Sequence, residues 1–206
     1  MSQQSNLKLE QFSCHHLKPI NLVLNEGEVI SIFGESGSGK SLLLRAIADL
    51  IPYTGDVFLN GISSKQFVAN NWRQQVSYFA AESQWWFDSV GEHFKLPLAK
   101  PLQAFLSELG FNEEVMNWEV MRCSTGEKQR LALIRVLANS PKVLLLDEPT
   151  SNLDADNTRK VEEILQVYQQ QSSCSIVIVS HDSEQKKRLA QRQFKIDNST
   201  LTEVTE

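Results

Sequence analysis

The chain has 206 residues, of which 41% are hydrophobic and 22% are charged, as is typical of a globular domain with a substantial core. Its net charge of -5 argues against a general attraction to nucleic acid or to anionic lipid, so no nucleic-acid partner is expected. Cys14, Cys123 and Cys174 have neither zinc-binding nor redox spacing, which favours reduced thiols in a cytosol.

The first residues are polar and lack the apolar stretch of a signal peptide. No apolar run approaches the roughly 20 residues that a helix needs to cross a bilayer. The sequence therefore predicts a cytoplasmic chain, and any membrane-spanning part of its system is expected on another chain.

Strands and helices are predicted to alternate along the chain. In chain order the predicted elements are strands 7–10, 20–24 and 29–33, a helix from 41 to about 50, strands 55–61 and 76–79, helices 101–109 and 126–139, strand 143–146, helix 155–171, strand 175–179, helix 183–190, and strands 193–196 and 201–204. This alternation predicts an α/β sheet. Residues 84–123, which are rich in aromatic side chains, are expected to form a helical lobe inserted in one domain that spans residues 1–206.

A glycine-rich loop follows the predicted strand 29–33. Its sequence, Gly34-Glu35-Ser36-Gly37-Ser38-Gly39-Lys40-Ser41, fits the phosphate-binding pattern G-x-x-x-x-G-K-[ST] at every fixed position. Glycines allow backbone N–H groups to point at a phosphate, and the N-terminus of the following helix adds its positive dipole end. Lys40 is predicted to neutralise the β- and γ-phosphates, and the Ser41 hydroxyl is predicted to bind Mg²⁺. The alternative is a chance match, which the flanking strand and helix disfavour.

Two adjacent carboxylates, Asp147 and Glu148, follow the apolar run 143–146. Buried carboxylates need partners, so this strand end favours a chemical role. Asp147 is predicted to hold Mg²⁺ directly or through water, and Glu148 to polarise the attacking water as a general base. The alternative is that both acids cap the next turn.

His181 ends the buried run 176–180, where it could sense a γ-phosphate as a hydrogen-bond donor. A lone histidine in such a place is otherwise more often structural. Its position in the chain after the other motifs favours the functional interpretation.

The segment Cys123-Ser124-Thr125-Gly126-Glu127-Lys128-Gln129-Arg130 resembles the signature LSGGQ-x-QR of the ABC family, with Ser124, Gly126, Gln129 and Arg130 kept. Residues 151–154 look like the D-loop of that family. With the phosphate-binding loop, the acidic pair and His181, five motifs occur in the order of the family. The chain therefore resembles the ATP-binding subunit of an ABC transporter, and is similar in finer detail to small bacterial iron-export ATP-binding proteins.

The resemblance implies an α/β P-loop NTPase fold of the ABC type, with a mostly parallel core sheet with helices, an antiparallel β subdomain and a small helical lobe. It implies that two such domains, expected to be identical, stack head to tail around ATP and Mg²⁺. Ser124 and Gly126 would approach the γ-phosphate held by the partner, at a helix N-terminus suited to an anion. Lys40, Glu148 and His181 are then the catalytic residues, while Ser41 and Asp147 hold the metal.

The resemblance also implies a separate transmembrane permease as a partner, which would hold the chain at the cytoplasmic face of the membrane as a peripheral subunit. The transported substrate is not readable, and export of iron or another metal is a hypothesis from the resemblance alone. Two other functions stay open: a soluble ABC-type ATPase acting on nucleic acid or protein assemblies, and a low-turnover nucleotide-binding regulatory module. An ordinary helix N-cap at Ser124, with acidic Glu127 in the first turn, is compatible with any of these.

Several residues depart from the family pattern. Ala81 stands where a glutamine usually touches Mg²⁺ or water, so hydrolysis is expected to be slow unless Glu82 or Gln84 substitutes for it. Leu42 is counted with the nucleotide-binding residues, although a second hydroxyl is common at that position, and Thr125 replaces a glycine.

Two aromatic features stay open from the sequence. The aromatic residue that stacks on adenine is sought among Phe12, His15 and His16. Residues 85–87, Trp-Trp-Phe, are expected either to face a helix of the permease or to pack inside the helical lobe.

Overall fold

The computed structural model describes residues 5–204, so residues 1–4 and 205–206, the ends of the predicted domain, lie outside the described residues. The described residues form ten strands and six α-helices. The strands are β1 (Ser5–Ser13), β2 (Ile20–Asn25), β3 (Val29–Gly34), β4 (Thr54–Leu59), β5 (Ile62–Ser63), β6 (Val76–Phe79), β7 (Val143–Asp147), β8 (Ser175–Val179), β9 (Arg192–Asp197) and β10 (Thr200–Val204). The helices are α1 (Lys40–Ile47), α2 (Ala69–Gln75), α3 (Lys100–Glu108), α4 (Thr125–Leu137), α5 (Ala155–Ser172) and α6 (Ser183–Leu189).

The central sheet has the strand order β10-β9-β3-β8-β7-β6. Only the β9–β10 pair is antiparallel, and every other neighbouring pair is parallel. Every residue of β7 and β8 is buried because hydrophobic side chains cover both faces of the sheet. The carboxyl ends of β3, β6, β7 and β8 therefore lie at one edge of the sheet, which is where an open parallel sheet binds its ligands.

A second, antiparallel sheet has the order β2-β1-β4-β5. In β2, buried and exposed side chains alternate, as expected for a sheet with one covered face. The covered face shares a hydrophobic cluster with α1 and with one face of the central sheet. This sheet confirms the predicted antiparallel β subdomain, and the whole arrangement confirms the predicted α/β fold.

Helix α1 ends earlier than predicted, and α2 was not predicted. The indole N–H of Trp72 in α2 donates to the Ile47 carbonyl at 3.0 Å, and the Arg73 guanidinium donates to the Asp49 carbonyl at 2.8 Å. These side chains satisfy backbone acceptors that a longer α1 would otherwise satisfy. Trp72 is the only buried residue of α2, so the segment carries no helical hydrophobic period for sequence reasoning to detect.

Residues 84–123 contain one α-helix, α3, together with short 3₁₀ turns at Gly91–His93, Glu113–Asn117 and Val120–Arg122. The lobe is thus less helical than predicted. Helix α3 ends in a Schellman motif at Gly110, whose φ is 84°, with Phe111 N–H bound to the Leu106 carbonyl. Side chains of the lobe belong to the same hydrophobic cluster as α4, α5 and one face of the central sheet.

Candidate nucleotide-binding and catalytic site

The glycine-rich loop joins β3 to α1 at the ligand edge of the sheet. A Cβ atom on Gly34 would lie 2.5 Å from the Ile196 carbonyl oxygen, so backbone packing requires glycine there. Gly39, with φ 103°, precedes α1 in the left-handed region that glycine adopts without strain. The loop therefore has the tight backbone path that the phosphate-binding pattern predicts.

Lys40 is the first residue of α1 and only 7% exposed. Its Nζ donates to the carbonyl oxygens of Gly34 at 2.8 Å and Glu35 at 2.9 Å. Burial lowers the pKa of Lys40, while the nearby charges of Glu148 and Asp147 oppose that shift. The loop thus holds a lysine ammonium inside the glycine-rich turn, close to two carboxylates.

Asp147 is the last residue of β7 and is 3% exposed. The Tyr78 hydroxyl, from neighbouring strand β6, donates to Asp147 Oδ2 at 2.8 Å. Burial raises the pKa of Tyr78, and the Asp147 charge and the hydrogen bond raise it further, so the hydroxyl stays protonated and donates. Sequence reasoning gave Tyr78 no role in the site, since it is one residue of a short predicted strand.

Glu148 has φ 48°, the left-handed region that non-glycine residues seldom adopt. Its backbone N–H donates to the Val179 carbonyl of β8 at 3.0 Å. Burial raises the pKa of the carboxyl group, and the nearby His181 opposes this rise. The unusual backbone aims a half-buried carboxylate at the edge of the sheet, beside the carboxylate of Asp147.

His181 follows β8 and has an exposed side chain. Its Nε2 lies 3.2 Å from Glu148 Oε1. The pair is close enough for a charge interaction, but its alignment is not that of a hydrogen bond, and Glu148 Oε1 has no hydrogen-bond partner among the described residues. A buried carboxylate oxygen that accepts no hydrogen bond from the protein is suited to accept one from a water molecule or another polar ligand at the site.

The signature-like segment begins α4. Ser124 is its N-cap and forms a capping box with Glu127, in which the Ser124 N–H donates to Glu127 Oε2 at 2.8 Å. Backbone N–H groups of a capped first turn are suited to an anion. Among the described residues, no hydrogen bond or ion pair joins Ser124 or Gly126 to the glycine-rich loop of the same chain.

Gln129, one turn further along α4, is 2% exposed. Its Nε2 donates to the Glu148 carbonyl oxygen at 3.1 Å, and its Oε1 accepts from Asn152 Nδ2 at 3.0 Å. Sequence reasoning counted Gln129 in the signature match but gave it no role. The structure places it between the signature helix, the backbone of the predicted base and the D-loop-like segment.

At the position of the usual glutamine, Ala81 offers no polar side chain, and the side chains of Glu82 and Gln84 are exposed. The Arg135 guanidinium donates to the Gln84 carbonyl at 2.9 Å, which holds this loop through its backbone. In the described structure, neither Glu82 nor Gln84 makes a side-chain hydrogen bond. Whether Glu82 or Gln84 substitutes for the missing glutamine therefore stays an open alternative to its loss.

The aromatic residues 85–87 are divided between core and surface. Trp85 packs against the hydrophobic cluster of the lobe, whereas Trp86 is 63% and Phe87 48% exposed. The Arg135 guanidinium lies over both indoles, 4.6 Å from the Trp85 centroid and 4.8 Å from that of Trp86. His93 Nε2 accepts from the backbone N–H groups of Trp86 and Phe87, so this exposed aromatic pair is held in place.

Phe12 is fully buried against Tyr53 and is therefore excluded as the residue that stacks on adenine. His15 and His16 are exposed, and His16 Nε2 lies 3.3 Å from the carbonyl oxygen of Ser38 in the glycine-rich loop. Of the three candidates considered from the sequence, His16 lies against the loop.

Among the described helices, none combines the length and the apolar character needed to cross a bilayer. The three cysteines are free thiols in buried surroundings.

Comparison with known proteins identifies the family. A family model described as ABC transporter matches residues 17–151. The chain is 36% identical over 178 residues to the probable iron export ATP-binding protein FetA of Escherichia coli, an alignment covering 82% of this chain and 79% of that protein. It is 31% identical over 205 residues to the energy-coupling factor transporter ATP-binding protein EcfA2 of Staphylococcus epidermidis, covering 91% of this chain and 71% of that protein.

A solved structure has the same fold. It is a dimeric post-hydrolysis state of the ATP-binding cassette MJ0796 bound to ADP and Pi, which matches with a TM-score of 0.81 at 25% identity over 97% of this chain and 99% of that one. Five motifs in order, the sheet that carries them, the family model and these relatives agree. The chain belongs to the ABC transporter family, as one of its ATP-binding and ATP-hydrolysing domains.

Proposed function

We propose that this chain is the ATP-hydrolysing subunit of a transporter, which closes face to face with a second copy around two ATP molecules and drives a separate membrane permease. One observation carries the proposal: the ammonium of Lys40 is enclosed by the glycine-rich loop and is close to both Asp147 and Glu148. A buried cation beside two carboxylates at the edge of a parallel sheet suits the binding of a metal–triphosphate. Residues 1–206 are treated as one ABC ATPase domain, since the lobe shares its core with the sheet.

Nucleotide binding is assigned to the residues of the glycine-rich loop. Its backbone N–H groups and the N-terminus of α1 would receive the phosphates, with Lys40 as counter-charge. The predicted set comprises Gly34, Glu35, Ser36, Gly37, Ser38, Gly39, Lys40, Ser41 and Leu42. Exposed His16, beside this loop, is the proposed neighbour of the adenine ring.

Mg²⁺ fits the donors of this site. Ser41 and Asp147 supply the hydroxyl and carboxylate oxygens that Mg²⁺ prefers, and these are the residues that would hold it. When bound, the ion neutralises charge on the β- and γ-phosphate oxygens. Tyr78 orients the Asp147 carboxylate through its hydrogen bond.

Hydrolysis is assigned to Glu148 and His181. The half-buried carboxylate of Glu148, whose Oε1 has no hydrogen-bond partner among the described residues, would accept a proton from an attacking water. Its raised pKa makes it a stronger base for that transfer than an ordinary glutamate. His181, 3.2 Å away, would donate to the γ-phosphate and hold the orientation of Glu148.

The second copy would complete the site. Ser124 and Gly126 lie at a capped helix N-terminus, and among the described residues no hydrogen bond or ion pair joins them to the glycine-rich loop of their own chain. They would instead meet the γ-phosphate held by the partner. That the similar ATP-binding cassette MJ0796 was solved as a dimer bound to ADP and Pi supports a dimeric working unit. A homodimer supplies two such sites by symmetry.

Trp86 and Phe87 are the proposed contact with the permease. Exposed aromatic side chains that are already held in place lose little entropy on binding, so they serve well as interface anchors. This partner would keep the subunit on the cytoplasmic face of the membrane. The relative named as an iron export protein supports metal export, iron included, as the transport function.

The decisive experiment uses the substitution Glu148→Gln. This variant should bind ATP with Mg²⁺ but not hydrolyse the ATP, and it should accumulate as an ATP-bound dimer on size-exclusion chromatography. Adding Lys40→Ala to it should abolish both ATP binding and the dimer. A Glu148→Gln chain that binds ATP yet stays monomeric contradicts the clamp. Salt-dependent binding of DNA by the native chain would instead favour the soluble alternative acting on nucleic acid.

A further inference from the structure

Gln129 is a buried amide whose position the proposed roles do not explain. It lies on the second turn of α4, five residues after the N-cap Ser124, and is 2% exposed. A buried amide must be hydrogen-bonded to be tolerated. Both of its polar atoms have partners, and both partners lie outside α4.

The first partner is the carbonyl oxygen of Glu148, which accepts from Gln129 Nε2 at 3.1 Å. Glu148 has φ 48°, and such a backbone persists only where its surroundings hold it. On its other side, the Glu148 N–H is held by the Val179 carbonyl at 3.0 Å. Strand β8 therefore holds the N–H of the proposed base. Its carbonyl oxygen is held from α4 by Gln129 and locally by Ser151, whose N–H and hydroxyl donate to it at 3.3 and 3.1 Å.

The second partner is Asn152, whose Nδ2 donates to Gln129 Oε1 at 3.0 Å. The same segment touches the start of α4, because a Cβ atom on Gly126 would lie 3.2 Å from the Asn152 carbonyl oxygen. One amide thus joins three parts of the chain: the signature helix, the backbone of Glu148 and the D-loop-like segment.

We propose that Gln129 is a positioning residue that ties the orientation of Glu148 to the signature helix, so that the base is correctly placed only when that helix is seated. This inference rests on the proposed function, in which the start of the same helix seals the nucleotide held by the partner. Each chain would then sense, through Gln129, whether the nucleotide opposite its own signature helix is in place.

The test is Gln129→Met, which keeps the length and volume of the side chain and removes both hydrogen bonds. Its kcat for ATP should fall at least about tenfold, the equivalent of one lost hydrogen bond, while KM should change by less than about twofold, since ATP itself is not contacted. In a Glu148→Gln background, Gln129→Met should still accumulate the ATP-bound dimer at the same ATP concentration.

The matched control is Leu133→Val, which removes one methylene from a fully buried position one turn further along the same helix. It loosens the packing of α4 without touching the Gln129 contacts, and its kcat should stay close to that of the native chain. A Gln129→Met variant whose kcat is native or falls no further than that of Leu133→Val overturns the inference. Loss of the ATP-bound dimer in the Glu148→Gln background overturns it as well, because Gln129 would then act on closure of the dimer.

Failure of this inference is distinguishable from failure of the proposed function. If the native chain neither binds nor hydrolyses ATP, both the proposed function and the role of Gln129 are wrong. If the native chain hydrolyses ATP and Glu148→Gln accumulates a dimer, a Gln129→Met variant with native kcat contradicts only the role proposed for Gln129.

Discussion

The hydrogen bond between Tyr78 and Asp147 provides a quantitative test of how the carboxylate proposed to bind Mg²⁺ is held. The Tyr78 hydroxyl donates to Asp147 Oδ2 at 2.8 Å, and it is the only side-chain donor to this carboxylate among the described residues. Asp147 is 3% exposed, so water can replace a lost donor only poorly. Tyr78→Phe removes the hydroxyl and keeps the ring.

The expected loss of stability in Tyr78→Phe follows from the negative charge of the acceptor, the Asp147 carboxylate. A hydrogen bond to a charged group contributes about 1.5–3 kcal/mol, against about 1 kcal/mol for one between neutral groups. We expect Tyr78→Phe to lower the free energy of unfolding by about 2 kcal/mol at neutral pH. The same change should cost about 1 kcal/mol less in an Asp147→Asn background, whose neutral amide oxygen attracts the donor less.

The assay is urea unfolding of the native chain, both single variants and the double variant, without nucleotide. The control is Tyr53→Phe, since the Tyr53 hydroxyl lies 2.8 Å from the neutral Ser64 Oγ. Its cost should be about 1 kcal/mol and should not depend on Asp147. Additive costs for Tyr78→Phe and Asp147→Asn, or a Tyr78→Phe cost no greater than that of Tyr53→Phe, would refute the reasoning.

Three further outcomes are expected. Because burial raises the pKa of Glu148, the folded state binds the proton more tightly than the unfolded state, and stability present at low pH is lost as the pH rises through the folded pKa. Glu148→Gln should therefore gain stability relative to the native chain as the pH rises in a series of urea titrations, and a pH-independent difference contradicts this. Arg188→Ala should lower the free energy of unfolding by about 1–2 kcal/mol, because the guanidinium, itself 46% exposed, pairs with both oxygens of Glu162, whose side chain is 6% exposed. The control is Arg159→Ala, which breaks the exposed ion pair with Asp156 and should cost less than about 0.5 kcal/mol. Equal costs for the two arginine substitutions would contradict this reasoning. Ala81→Gln should raise the steady-state rate of ATP hydrolysis, and a native rate already equal to that of the variant would show that the glutamine is not needed.

Contiguous motifs were readable from the sequence because their chemistry is local. The path of the glycine-rich loop requires particular residues at neighbouring positions, as the contact that a side chain on Gly34 would make shows. The apolar runs before Asp147 and His181 predicted buried parallel strands, and the ends of parallel strands meet at one edge of a sheet. The family, the α/β class and the order of the motifs followed from such segments.

The tertiary structure alone decided which side chains of distant segments meet. Tyr78 and Asp147 are 69 residues apart, and Gln129 and Glu148 are 19 apart. Nothing in either local sequence records these hydrogen bonds, because they depend on how strands and helices pack. Packing also buried Phe12 and formed α2 around a single tryptophan. The residues proposed to bind and react were thus readable from the sequence, whereas the contacts that hold them in position exist only after folding.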